Sequence, residues 1–241
     1  KTTRRRASAP IRFAGFNLGE YESVRVSRPP YVVEAFGNRE VEASLQPAPL
    51  PAVMAPPGPR GGRTRVFATP PPPLPLDTKG RLNALAGEVA SAMEFMSGLF
   101  GPPPLKTLTV SPIPAGIGQG FPGLLYVSTM SYLNPRDLPV GLRSTALTTF
   151  YSDLLAVHEV AHQWWGNLVT SPSYQEDWLQ ESLANYSALL YLEKKKGPKA
   201  VDAVLESYRE HLLAKDEDGS MIDAAGPISL GTRLRSSKTR E

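Results

Sequence analysis

The run from His158 to Asn167 reads HEVAHQWWGN, and its first five residues are the ones that could do chemistry. His158 and His162 are four apart, so on a helix they lie on one face, one turn from each other. Their imidazoles can then reach one metal ion, and Glu159 stands one step round from them, where it can act on a metal-bound water. The chain has only three histidines in 241 residues, and two fall in this motif. The third, His211, follows Glu210 on a separate stretch and reads as a structural or exposed residue.

Two imidazoles need a third ligand. Glu181, in WLQESLANY, is separated from His162 by eighteen residues. A short connection between two antiparallel helices can bring its carboxylate to the histidine face. Two neutral imidazoles and one carboxylate leave a fourth position open, the layout of a catalytic zinc site rather than a closed structural one.

The elements that must position these groups can be read from periodicity. Leu82, Leu85, Val89, Met93 and Met96 predict a helix that Asp77 or Thr78 caps and that Gly101 and three prolines end. KTLTVSPIP and GLLYVST predict two strands, with the glycine-rich AGIGQGFPG as the connection between them. A helix is expected from Ser144 to Trp165, buried through Leu147, Phe150, Leu154, Leu155 and Val160, with both tryptophans in the core. Further helices are expected from about Glu176 to Lys196 and Lys199 to Leu213, the first finishing in three solvated lysines that suit its dipole. Before all these, IRFAGFNL, YESVRVSR and YVVEAFG read as strands of a β-rich region.

Composition sets the organisation. Eleven of the 25 prolines fall between Pro47 and Pro75, which favours an extended connector in which only RTRVFAT could be a strand. The chain is therefore divided into 1–45, the end of a β-rich domain; 46–76, a proline-rich connector; and 77–241, an α+β domain that carries the histidine motif. Cysteine is absent, which excludes disulfides, thiolate ligands and a cysteine nucleophile. The formal charge of +3 comes from the ends, where Arg4 to Arg6 and Arg233 to Arg240 lack interleaved aromatics. That pattern reads as solvated termini rather than a nucleic-acid surface. No apolar run is long enough for a transmembrane segment. Neither compartment nor oligomeric state is legible here.

HEVAHQWWGNLVT followed by WLQESLANY resembles the M1 family of zinc aminopeptidases, gluzincins with a thermolysin-like zincin domain of mixed sheet and helices. The similarity runs from about Pro75 to Gly226. It implies one zinc ion on His158, His162 and Glu181, Glu159 as general base, and a peptide as substrate. Two departures accompany it. Gly120 stands where the family has the glutamate that anchors a free amine, and no acid lies between Lys106 and Asp137. This puts exopeptidase activity in doubt, while Gly118, Gly120, Pro122 and Gly123 are expected to offer backbone groups to an extended peptide. The family's oxyanion-stabilising tyrosine, in a Tyr-x-Lys-Gly segment, has no counterpart in the chain and is expected beyond Glu241, with the catalytic domain incomplete there. Two alternatives stay open: a non-catalytic zinc-binding interaction module, and a hydrolase of another substrate such as an epoxide.

Overall fold

The computed structural model describes residues 14–39, 78–114 and 116–215, with positions 6, 10, 42, 45 and 219. The proline-rich segment, including RTRVFAT, the expected cap Asp77 and most of the basic ends lie outside the described residues; Thr78 is the first residue of the helix that it was expected to cap.

Strands β1 (Tyr21–Arg28) and β2 (Tyr31–Asn38) form an antiparallel hairpin, Val24 opposite Ala35. Along β2 burial alternates residue by residue, Tyr31, Val33 and Ala35 facing inward. That period of two is the mark of a strand with one face on a core. The core is helix α1 (Thr78–Phe100), whose Leu82, Leu85, Val89, Met93 and Met96 are all buried, as the spacing predicts. Gly101 ends the helix at φ +83°, its N–H donating to the Ser97 carbonyl, and Trp164 donates its indole N–H to the Gly101 carbonyl.

β3 (Thr107–Ile113) runs parallel to β2, Val32 aligned with Thr107 and Ala35 with Val110. β4 (Gln119–Phe121) and β5 (Leu124–Ser128) complete one mixed sheet of order β1-β2-β3-β5-β4, with β5 parallel to β3 and β4 antiparallel to β5. The protein is therefore α+β, a mixed sheet with helices against it. The boundary expected at residue 45 falls between two strands that pair in this sheet. The glycine-rich connection itself contains a strand, because Gln119 to Phe121 find hydrogen-bonding partners on β5. Opposite the helices, Asn17 donates to the Ser111 hydroxyl and the Pro112 carbonyl, fixing residues 14–18 across β3.

The expected single helix from Ser144 to Trp165 is three pieces. Ser144 caps α2 (Thr145–Thr149) through its hydroxyl, a wider π-type turn spans Phe150–Leu154, and α3 (Leu155–Ala161) carries the motif. Helical geometry stops at His162, since Gly166 at φ +100° turns the chain and its N–H bonds to Val169. α4 (Asp177–Lys196) and α5 (Pro198–Leu213) follow, broken at Gly197 with φ +84°. The lysines ending α4 do more than face solvent. Lys195 reaches Glu88 of α1 and Lys196 reaches Asp153 of the π-type turn, each at 2.7 Å, while Lys194 lies over the Phe95 ring. No helix among the described residues is long and apolar enough to cross a membrane.

Candidate metal centre

α3 and α4 pack against each other, and their contact brings the three expected ligands together. His158 and His162 project from one face of α3, their Nε2 atoms 3.1 Å apart. Glu181, on the second turn of α4, places Oε2 at 3.3 Å from His158 Nε2 and 3.5 Å from His162 Nε2. The Nδ1–H of His162 faces the Trp165 carbonyl at 2.9 Å, which leaves Nε2 as the lone-pair nitrogen.

These distances fit a metal. At Zn–N and Zn–O lengths near 2.0–2.1 Å, tetrahedral ligand atoms sit about 3.3 Å apart. Two lone-pair nitrogens in contact would repel each other, and a cation between them removes that repulsion. Electrostatics point the same way. In the metal-free site the rings of His158 and then His162 beside it hold the Glu181 carboxyl well below the usual range, against the opposing effect of its burial. Burial pulls His162 down, but the Glu181 hydrogen bond and charge, with help from the Trp165 carbonyl and Glu159, leave it raised overall. Both directions describe a pocket built to hold positive charge.

Glu159, one position round α3 from His158, lies beneath β4 beside His162 and is 3% exposed. Burial pushes its carboxyl up to about 8; His162 lowers it and Glu181 raises it, both less strongly. Its Oε2 is buried without a hydrogen-bond partner. The strand above it comes very close. A Cβ on Gly118 would stand 2.3 Å from Glu159 Oε1, and one on Gly120 would stand 2.6 Å from both the Glu159 carbonyl and His162 Cβ. Glycine at both positions is thus a requirement of close approach.

The residues after the histidines hold that strand. Gln163 donates to the Phe121 carbonyl and accepts from the Gly123 N–H, both at 2.9 Å, gripping the turn in which Gly123 takes φ +72°. Asn167 donates to the Gly120 carbonyl at 3.0 Å and the His162 carbonyl at 2.7 Å. Trp165 donates to the Ser187 hydroxyl, tying the same stretch to α4. The sequence pattern places the tryptophans in the core and assigns Gln163 and Asn167 no part. Their signal was two amide side chains within five residues of His162, a spacing without meaning until β4 is in view.

A cleft of about 430 Å³ opens beside the centre, between β4, the 166–173 stretch and the start of α4. Gly120, His162 and Glu181 line it. Gly118 lies against Glu159, whereas Pro122 and Gly123 occupy the β4–β5 turn and are not among the residues lining the cleft.

Two imidazoles and a carboxylate from adjacent helices, with a buried acid between the histidines in sequence, define a metal centre of the H-E-x-x-H type. The segment that holds it is similar to a known peptidase family: the family model for the peptidase family M1 domain matches residues 143–233. Over 65 residues the chain is 37% identical to aminopeptidase RNPEPL1 of Homo sapiens, which covers 23% of this chain and 9% of that protein. It is 25% identical over 135 residues to endoplasmic reticulum aminopeptidase 2 of Homo sapiens, covering 55% of this chain and 13% of the relative. The chain thus spans a small part of the length of the relatives it matches. Among solved structures, an M1 zinc metallopeptidase from Deinococcus radiodurans aligns with TM-score 0.45 and 18% identity over 83% of this chain and 35% of its own.

Proposed function

We propose that this chain carries the hydrolytic centre of a zinc-dependent peptidase, with one zinc ion on His158, His162 and Glu181. The observation that carries the reading is the triangle of ligand atoms, 3.1 to 3.5 Å on a side, one residue away from a buried carboxylate. Zinc in such a site polarises a scissile carbonyl and acidifies water. Glu159 takes the proton of the attacking water on its carboxylate and returns it to the departing amine. Its raised carboxyl, at about 8, retains that proton more readily than an exposed glutamate would, and the charge of a bound dication draws the value down. His162, held by the Trp165 carbonyl, keeps its ring fixed through the cycle. The substrate lies along the outer edge of β4 as an added strand, the mode in which main-chain hydrogen bonds supply binding without regard to sequence. With Gly120 at the amine-facing position, no carboxylate on β4 selects a free N-terminus, so the reading leaves exopeptidase specificity without its usual anchor.

The test is Glu159→Gln. Zinc content measured by inductively coupled plasma mass spectrometry should stay near one ion per chain, while peptide hydrolysis falls by roughly 10²–10⁴. Hydrolysis at the parental rate would overturn the role of Glu159. A second reading, a zinc-holding module without turnover, draws on the depth of Glu159 beneath β4, and it predicts bound zinc with no chelator-sensitive hydrolysis at all.

A further inference from the structure

The cleft beside the metal centre carries a second carboxylate whose position suits recognition. Asp177 opens α4, four residues before Glu181, so the two acids share a face one helical turn apart, about 6 Å between their Cβ atoms. Both line the cleft. Among the described residues lining it they are the only acids, and lysine and arginine are absent from that set. Glu181 is engaged by the metal triangle, which leaves Asp177 as the acid facing whatever enters. Its Oδ1 accepts from the Ser171 hydroxyl at 2.6 Å and from the Gln180 amide at 3.2 Å, and both donors are themselves cleft residues. These partners fix the direction of the carboxylate and bring no positive charge to neutralise it.

We infer that Asp177 is the specificity-determining residue of this cleft and takes an ammonium or guanidinium group of the substrate, one or two residues from the bond that is cut. The reach follows from geometry: an extended chain advances about 3.3 Å per residue, so 6 Å from the metal ligand corresponds to about two residues. The inference rests on the peptidase reading and deepens it. It also supplies what Gly120 withholds, a carboxylate for a cationic group, from the opposite wall of the cleft. The competing account is that Asp177 only complements the dipole of α4 through its first turn, as acids there commonly do. That account makes the cleft indifferent to substrate charge.

Asp177→Asn separates the two, because asparagine still accepts from Ser171 and Gln180 while the charge is gone. Four fluorescent peptides of one length would be used, with or without a lysine beside the scissile bond and with the N-terminus free or acetylated. Binding is measured by anisotropy on the zinc-loaded 241-residue chain carrying Glu159→Gln, and kcat/KM on the zinc-loaded parent. Circular dichroism melting and zinc content show that the asparagine variant is folded and loaded. The expected result is a preference of about tenfold or more for a cationic peptide over the neutral acetylated one. That ratio should collapse to within about twofold on Asp177→Asn. A preference lost on acetylation identifies the α-amine as the cation; one that follows lysine identifies the side chain. Equal affinity for all four peptides in the parent, or a preference that survives the substitution, overturns the inference while leaving the peptidase reading intact. An equal loss across all four also overturns it, assigning Asp177 to structure. If none of the peptides binds or is cut, the peptidase reading itself falls and takes this inference with it.

Discussion

The two edges of the sheet are handled in opposite ways. β1 is eight residues long, and its exposed positions are Glu22, Ser23, Arg25 and Ser27, a polar surface that discourages pairing with another strand. β4 is three residues long, is flanked and interrupted by glycine, and is pressed onto the metal-binding helix. At β1 the side chains protect the edge. At β4 side chains are absent where Gly118 and Gly120 meet α3, so the backbone itself roofs Glu159 and borders the cleft. The difference shows that glycine here is a packing device tied to the site, while charge at the far edge serves only the sheet.

The comparison is broken most directly by adding one methyl group. Gly118→Ala puts a carbon 2.3 Å from Glu159 Oε1, inside any tolerable contact, so either β4 or the carboxylate must move. Overpacking of this kind costs about 1–3 kcal/mol. Because the displaced group is the proposed base, peptide hydrolysis should fall further than stability does. Glu22→Ala on β1 should stay within about 0.5 kcal/mol and leave turnover alone. Chemical denaturation and a peptidase assay on the two variants check this; equal effects at both edges would remove the distinction.

Gln163→Ala tests how β4 is held. The substitution removes the donor to the Phe121 carbonyl and the acceptor of the Gly123 N–H, and an unsatisfied buried group costs about 1–3 kcal/mol. Faster hydrogen exchange should appear at residues 119–125 and not along β1–β2. Exchange that rises evenly over the sheet would mean that Gln163 supports the core in general.

A pH series sharpens the picture of Glu159 as a group buried at a cost. Its folded carboxyl stands at about 8, above the 4.5 of an ordinary glutamate. Between those values the folded state holds more protons than the unfolded state, so stability of the metal-free chain falls as pH rises through that window. The melting temperature should therefore decline from about pH 5 to about pH 8; Glu159→Gln should lessen that slope most below about pH 6.5, above which His162, also raised in the folded state, adds to the decline. An unchanged slope would show that Glu159 is not the titrating group.

Much of the site was legible because its information is local. His158 and His162 are one helical turn apart, and Glu181 sits on a helix whose far end Gly197 marks, so spacing alone points to the three residues that the fold brings together. The helices α1, α4 and α5 were legible for the same reason, their apolar stripes and glycine stops lying within one stretch of chain. β4 was not. Three residues around a glycine have no alternating pattern, and only the surface of α3 and the edge of β5 make them a strand. Nor does β2 reveal its neighbour, since Val32 pairs with Thr107 across the proline-rich segment. The π-type turn at Phe150–Leu154 likewise leaves no mark on periodicity, so one long helix was expected where three pieces stand.

The smallest expected effect lies at the end of β1, where Arg28 meets Glu94 of α1 at 2.8 Å. This pair joins the charged edge to the helix beneath it and lies close to the lysines that end α4. Both side chains are more than 40% exposed, at 41% and 43%, so solvent screens the attraction and each chain gives up rotamer freedom to make it. A double-mutant cycle with Arg28→Ala and Glu94→Ala should return a coupling of about 0.2–1 kcal/mol, shrinking at high salt. Zinc content and hydrolysis should not change, because the pair touches neither β4 nor α3. A coupling well above that range, or a loss of turnover, would mean that the β1 edge communicates with the metal centre through α1, and the functional contrast between the two edges would no longer stand.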